Sequence, residues 1–210
     1  MLAHRGLWSQ NCPPNSPEAL ARAAEAGFGV ETDLRDAEGT IVISHDPPRH
    51  DMPDADMVLG QVARASTAPI TFALNVKADG LVPMLDRILD ALRPHEGFFF
   101  DMSVPQLLAY NEHHLPVAVR VSEYEEFRPA LFQDLNIRPR IWLDAFHSDW
   151  WLDDPALADM TDMCQVVVVS SEIHGRDPRR VWKWFLESFQ RGDDVYLCTD
   201  VPQDLAKLIV

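Results

Sequence analysis

The segment NSPEALARAAEAGFGVETDL, residues 15–34, packs a helix and the strand that follows it into a short stretch, and the same pattern recurs down the chain. Asn15 and Ser16 supply an N-cap, and Pro17 sits where a first-turn proline is tolerated, so an Ala-rich helix is expected over residues 17–26. Gly27 and Gly29 end it and lead into a strand at Val30–Leu34. Working outward, residues 1–4 read as a short strand, and the Asp36–Gly39 turn joins the second strand to a β-branched run at 40–44. Apolar runs at 70–76, 97–100, 116–121, 140–144, 164–170 and 195–198 lack the alternation of a half-exposed sheet and read as buried strands. Helical patterns lie between them at 81–92, 104–114, 124–133 and 178–190, with weaker ones near 57–65 and 155–162. With 40–44 counted as an extension beside the second strand, eight strands alternate with helices. The expected architecture is a closed (β/α)₈ TIM barrel, a compact single domain over residues 1–210, although about 250 residues is typical. A doubly wound open sheet is the structural alternative.

The composition excludes several functions. With 33 Asp and Glu against 18 Lys and Arg, the formal net charge is −15, and no basic run exceeds Arg179-Arg180, so a nucleic-acid partner is not expected. Stable membrane insertion is not expected either, because no apolar run approaches the roughly 18 residues a span requires. Met1 is followed almost at once by Ala3-His4-Arg5-Gly6, leaving no room for a secretory signal, and a cytoplasmic location is expected. Cys12, Cys164 and Cys198 are odd in number and lack CxxC spacing, which fits buried free thiols.

Polar residues concentrate where the strands end: His4 and Arg5; Glu31 and Asp33; His45; Asn75 and Lys77; Asp101; Arg120 and Glu123; Asp144; Glu172; Asp200. The C-terminal ends of barrel strands are where active sites of this architecture are assembled. Glu31 and Asp33 are two apart, so both carboxylates share a face, and oxygen donors side by side suit a hard divalent cation. A solvated strand end accounts for that spacing equally well. The same rule aligns Asn75 with Lys77 and Asp101 with Ser103. His4 and His45 each close an apolar run, where two imidazoles suit general acid and base work near neutral pH.

His4-Arg5-Gly6, Asn15-Ser16-Pro17-Glu18-Ala19, Glu31-Thr32-Asp33 and Ser44-His45-Asp46 resemble, in order and spacing, the signature of the glycerophosphodiester phosphodiesterase family. Thr199-Asp200-Val201-Pro202 is similar to that family's last strand. The resemblance implies a (β/α)₈ barrel that hydrolyses a small-molecule phosphodiester. It implies His4 and His45 as the acid–base pair, Arg5 as a phosphate ligand, and Glu31 and Asp33 as ligands of one divalent cation, Mg²⁺ or Ca²⁺ with Mn²⁺ possible. A third family ligand, a glutamate two residues before a lysine, is replaced: Lys77 is present, but Asn75 holds the glutamate's place. Asp101 is the first candidate to compensate and Glu123 the second. Lys77 and Arg5 are expected to offset the charge of the phosphate, and Arg176 to add a second contact, although a surface arginine before the helix of residues 178–190 explains Arg176 as well.

The pattern also departs from the family beyond the third strand, which points to a divergent substrate. His4 is expected to deprotonate a water or a substrate hydroxyl, and His45 to protonate the leaving alcohol, with the opposite assignment open. The replaced glutamate keeps alive a non-catalytic or altered-chemistry barrel that binds a phosphorylated ligand. Gly27-Phe28-Gly29 precedes a strand and is not a dinucleotide fingerprint, Asn111–His114 reads as a helix end, and Trp150-Trp151 as packing over the barrel rim. Seven acids, Glu31, Asp33, Asp101, Glu123, Asp144, Glu172 and Asp200, are expected to turn part of the negative charge into a cation-binding mouth.

Overall fold

The computed structural model describes residues 1–49, 52–135 and 138–209. Ser16 caps the first helix as its sequence suggests, with Oγ accepting from the Ala19 N–H at 3.2 Å and Pro17 opening α1 (Pro17–Glu25). This helix connects β1 (Leu2–His4) to β2 (Gly29–Ala37), and the two strands pair in parallel, with His4 opposite Glu31. β2 turns back through Glu38 and Gly39, both at positive φ (48° and 89°), into antiparallel β3 (Thr40–Ile43). Two left-handed residues are what a two-residue hairpin requires. β3 is therefore an appendage of β2.

The remaining units repeat the strand–helix alternation: α2 (Ala55–Ala65), β4 (Thr71–Val76), α3 (Val82–Leu92), β5 (Glu96–Phe100), α4 (Val104–Glu112), β6 (Val119–Val121), α5 (Pro129–Leu135), β7 (Arg140–Leu143), α6 (Ala156–Met163), β8 (Gln165–Val169), α7 (Arg179–Arg191), β9 (Val195–Thr199) and α8 (Pro202–Ala206). Leaving β3 aside, the strand order is β5-β4-β2-β1-β9-β8-β7-β6, parallel throughout. The seam between β5 and β6 is closed by the segment before β6: Phe99 N–H donates to Pro116 at 2.9 Å and Ala118 N–H to Phe99 at 2.8 Å. The result is an eight-stranded parallel barrel with helices between its strands, as expected.

Period-two alternation divides each strand between two environments. Leu2, Ala73, Phe98, Phe100, Ala118, Trp142, Val167, Val169 and Cys198 pack on one another inside the barrel, with Phe100 stacked on Trp142 at 3.8 Å. Their neighbours Ala3, Val30, Leu34, Phe72, Leu74 and Phe99 face the helices. Arg140 plugs the floor, bonded to Glu96 and Gln165 and lying 4.4 Å over the Phe98 ring. Because the filling is complete below, the inward residues one step further along the strands can only form the mouth.

Several boundaries differ from expectation. The helix expected over 124–133 begins at Pro129, since Ser122 and Glu125 pair as a backbone bridge and the residue before a proline disfavours helix. The run 116–121 is a strand only from Val119, its first half serving as the seam. Short 3₁₀ turns at Trp150–Asp153 and Ser171–His174, and α8, were not anticipated. Asn111–His114 does end a helix, with His114 at φ 55°. Trp151 is fully buried against Trp184 of α7, at 4.9 Å between centroids, so it is packing. All three cysteines are free and buried. Among the described residues no helix is long and apolar enough to cross a membrane.

Candidate active site

The alternation that fills the barrel aims His4, Glu31, Asp33, Asn75, Arg120, Asp144 and Asp200 into the mouth, each in step with an inward residue below it. At the end of β1, Arg5 (φ 55°) and Gly6 (φ 85°) both adopt left-handed backbone. A side chain at Gly6 would lie 2.5 Å from the Ala19 backbone, so glycine lets the chain turn tightly over the start of α1. Arg5 is thereby bent over the mouth, its N–H donating to the Glu31 carbonyl at 3.0 Å and to Glu31 Oε2 at 3.1 Å.

His4 Nδ1 lies 2.7 Å from Asp200 Oδ1, and its Nε2 lies 3.9 Å from Glu31 Oε2. Burial opposes charging of His4, but the Asp200 bond and the two carboxylates outweigh it and hold the imidazole above its ordinary pKa. Glu31 is 1% exposed, and burial raises its carboxyl to about 7; Asp33 adds to the rise, while His4 and Arg5 oppose it. Asp33, equally buried, is surrounded by donors. Asn15 Nδ2 donates to its Oδ2 at 2.7 Å, Arg5 Nε is 3.1 Å from the same oxygen, and Lys77 Nζ is 3.3 Å from Oδ1.

On the neighbouring strands, Asn75 Nδ2 donates to Asp101 Oδ2 at 3.0 Å and Arg120 Nη1 to Asp101 Oδ1 at 3.1 Å. Arg120 is clamped in turn by Glu125, through Nε at 2.6 Å and Nη2 at 3.1 Å. Burial raises the Asp101 carboxyl above its ordinary pKa against the pull of Arg120, Lys77 and Asn75. The expected pairing of Asp101 with Ser103 on one face is not realised. Asp101 follows inward Phe100 and re-enters the mouth only through a φ of 65°, while Ser103 donates to Asp79 beside α4.

Other expected residues stand apart. His45, half exposed, lies 2.9 Å from Asp46 and lines a cavity of about 600 Å³ together with Arg5, Asn15, Ser44, Arg49 and several prolines. Arg5 is thus shared between this cavity and the mouth. Arg176 donates to Asp149 at 3.0 Å in the loops after β7 and β8, with its Nε and Nη1 buried and unpartnered. Glu123 accepts the Phe146, His147 and Ser148 N–H groups, which hold its carboxyl below the usual range despite partial burial, so it fastens a loop and does not face the cation candidates. Glu172 binds Ser170, Thr199 and the Asp200 N–H, tying β9 to the loop after β8. Asp144 pairs with His174 at 2.8 Å. The seven acids are therefore not one cation-binding ring.

Asn15 was not singled out as a site residue, and Asp200 was expected as one acid of a cation-binding mouth rather than as the partner of His4; both matter to the geometry. Asn15 Oδ1 accepts from Thr32 at 2.8 Å while its amide holds Asp33, so a residue read as a helix-cap signal is also a brace for a carboxylate. A polar residue immediately after the last strand was the signal for Asp200.

Among the described residues, no three His, Cys, Asp or Glu side chains converge as a metal-holding group. Counted with amides, the oxygen set is larger: Asn75 Oδ1 is a buried acceptor without a hydrogen-bond donor, and Asp33 Oδ1 is buried with the Lys77 ammonium 3.3 Å away. Glu31, Asp33 and Asn75 together are hard oxygen donors of the kind Mg²⁺ or Ca²⁺ takes, so the residues present fit a divalent cation.

Neither a protein-family model nor a curated protein sequence matches the chain. Solved structures do resemble it. A glycerophosphodiester phosphodiesterase from Parabacteroides distasonis superposes with a TM-score of 0.72 at 18% identity, covering 99% of this chain and 95% of that one. Another from Agrobacterium tumefaciens gives 0.66 at 14% identity, covering 95% of each chain. At these identities the likeness is one of fold, and the near-equal coverage removes the anomaly of a short barrel.

Proposed function

We propose that this barrel is a metal-dependent phosphoric diester hydrolase, similar to glycerophosphodiester phosphodiesterases, that cleaves a glycerophosphodiester or related small diester to an alcohol and a phosphomonoester. The observation that carries this reading is the juxtaposition of the Asp200–His4 pair, the Glu31 and Asp33 carboxylates, and the Arg5 and Lys77 cations at the ends of β1, β2 and β4. The fold likeness and the signature residues support it.

Asp200 orients the His4 ring through Nδ1 and leaves Nε2 to take a proton from the nucleophile, either a water, which gives the phosphomonoester directly, or a substrate hydroxyl, which gives a cyclic diester that a water then opens; the same carboxylate stabilises the imidazolium that results. His45 stands at the rim of the adjoining cavity, exposed enough to deliver a proton to the departing alcohol. Arg5, reaching both spaces, binds the phosphoryl group between the two imidazoles, and Lys77 adds a second positive charge. Glu31 and Asp33, with Asn75 and Asp101 on the adjoining strands as the candidates to complete the set, hold one divalent cation, Mg²⁺, Ca²⁺ or Mn²⁺. When bound, that cation supplies charge stabilisation to the phosphoryl oxygens. The two unpaired guanidinium nitrogens of Arg176 suit a further anionic contact. The buried free thiols suit a reducing compartment, and the cytoplasm is the location proposed.

The test is a screen of glycerophospho-alcohols and sugar phosphodiesters with Mg²⁺, Mn²⁺ and Ca²⁺. His4→Ala and His45→Ala should each abolish turnover while the circular dichroism spectrum is unchanged. Full activity in both variants overturns the acid–base assignment, and activity that survives thorough chelation overturns the metal role.

A further inference from the structure

The cavity beside the mouth is built unlike the mouth itself. It holds about 600 Å³ between the loop from β1 to α1 and the segment from β3 to α2, and Arg5 reaches into both spaces. Its wall is largely carbon: Pro14 and Pro17 from the first loop, Pro47 and Pro53 from the second, with buried Ile43 of β3 and Val58 of α2. Proline fixes its own φ, so a wall rich in prolines loses little freedom when it encloses a ligand.

The polar side chains along this wall are already in use. Asn15 is bound to Thr32 and Asp33, Ser16 Oγ accepts from the Ala19 N–H, and Ser44 Oγ donates to the Asp46 carbonyl at 2.7 Å. A polyol placed there would give up its water without finding partners, and a buried hydroxyl left unpaired weakens binding. The charge is also the reverse of the mouth's. Arg5 and Arg49 are cationic, and the one acid of the lining, Asp46, has its side chain 86% exposed, so an ammonium group meets no buried carboxylate among the lining residues. What the space suits is apolar surface, in a volume of the size that encloses a small organic ligand.

We propose that this cavity binds the departing arm of the diester and that this arm is an apolar alcohol, neither a polyol nor an aminoalcohol. The proposal rests on the preceding reading, which sets the phosphoryl group at Arg5 and His45 at the cavity rim, and it adds what lies beyond the bond that breaks. That bond is the P–O bond to the apolar alcohol, whose oxygen takes its proton from His45 while the nucleophile's oxygen bonds to phosphorus. The diester is then directional, its polar arm in the acidic mouth and its apolar arm among the prolines.

The experiment measures, by calorimetry on the full chain in Mn²⁺ and independently of turnover, the binding of n-alkyl phosphates. From ethyl to hexyl the affinity should rise about fourfold per methylene, the gain for burying a CH₂ group. A rise that levels off at hexyl identifies a compact alcohol, and one that continues to dodecyl identifies a lipid chain. Neohexyl phosphate should bind about tenfold or more tightly than phosphocholine, its isostere with a charged nitrogen in place of carbon. Met52→Trp and Pro17→Trp fill the cavity from half-buried and exposed positions of its wall, and each should flatten the alkyl series. Equal affinity along the series, phosphocholine binding as tightly as neohexyl phosphate, a slope unchanged in both tryptophan variants, or no binding at all overturns the proposal. Hydrolysis of the hexyl and choline esters of glycerol phosphate separates it from the reading it rests on. A higher kcat/KM for the hexyl ester supports both. An equal or higher value for the choline ester overturns the apolar arm and keeps the hydrolase, whereas the expected alkyl series with no ester hydrolysed supports the apolar site and removes the hydrolase reading instead.

Discussion

Replacing Glu31 by glutamine should stabilise the metal-free protein at alkaline pH and leave it unchanged in acid. Glu31 is buried, and burial with the Asp33 charge raises its carboxyl from 4.5 to about 7. Below 4.5 the group is protonated in both folded and unfolded states and contributes no difference. Between 4.5 and 7 the unfolded chain ionises while the folded one retains its proton, so the folded state binds more protons and stability falls as pH rises. Above 7 both are ionised and the cost is constant. At 1.36 kcal/mol per pKa unit the full cost is ~3 kcal/mol. Glutamine matches the shape, keeps an oxygen for the Arg5 N–H, and carries no charge. In a protein of this size ~3 kcal/mol corresponds to roughly 5–10 °C in Tm.

The assay is thermal unfolding in EDTA at pH 4.5, 6 and 8.5. The gap between Glu31→Gln and wild type should open across that range, and saturating divalent cation should close it by stabilising the wild type alone. A gap of the same size at every pH, or a variant less stable at pH 8.5, would refute the reasoning. A carboxylate that costs stability when charged and without its cation is what a binding site requires, since the group that destabilises the empty protein is the one that attracts the ligand.

The other expectations concern the scaffold around this carboxylate. Asp200→Asn removes the charge that holds His4 above its ordinary pKa, so the acidic limb of kcat/KM should move to lower pH while turnover falls about 10²–10⁴-fold; an unmoved limb would separate Asp200 from His4. Gly6→Ala puts a Cβ 2.5 Å from the Ala19 backbone at a φ of 85°, and should cost about 3 kcal/mol in denaturant unfolding; a midpoint within error of the wild type would contradict the close approach. Trp151→Ala empties a fully buried site against α7 and should cost about 3–5 kcal/mol, yet keep kcat/KM within about twofold below its melting range, since the ring belongs to the outer layer.

Strand periodicity made most of the mouth legible from sequence. Because alternate residues share a face, the sequence could align Glu31 with Asp33 and Asn75 with Lys77, and the register of β2 with β4 sets Asp33 opposite Asn75. Where the chain leaves that periodicity, the reading failed for a definable reason. Asp101 was aligned with Ser103 by counting in twos, but the strand ends at Phe100 and a single left-handed residue re-aims the carboxylate. A positive φ is uncommon even at aspartate, one of the residues that adopt it most readily, so nothing local marks this one, and the carboxylate it re-aims is met by Asn75 and Arg120. The helix expected at 124–133 starts late for a local reason: Glu125 is held by Arg120 and Ser122, five and three residues back, in a tight turn that competes with helix before Pro129.

The acids show most clearly what position in sequence can and cannot say. All seven fall near strand ends, yet a strand end specifies a location and not a partner. Asp200 is used by His4, Asp144 by His174, Glu172 by Ser170 and Thr199, and Glu123 by three backbone N–H groups; each is neutralised or engaged inside the protein. Asp101 is spoken for by an amide and a guanidinium. On β2, burial holds Glu31 protonated toward neutrality, while Asp33 is shared among Asn15, Arg5 and Lys77. The Asp33 charge adds to the rise of the Glu31 carboxyl two positions back on the same face, and a cation held between the two would relieve that repulsion. That concentrates the question of cation binding on Glu31 and Asp33, two residues apart on one strand, and on Asn75 paired opposite Asp33.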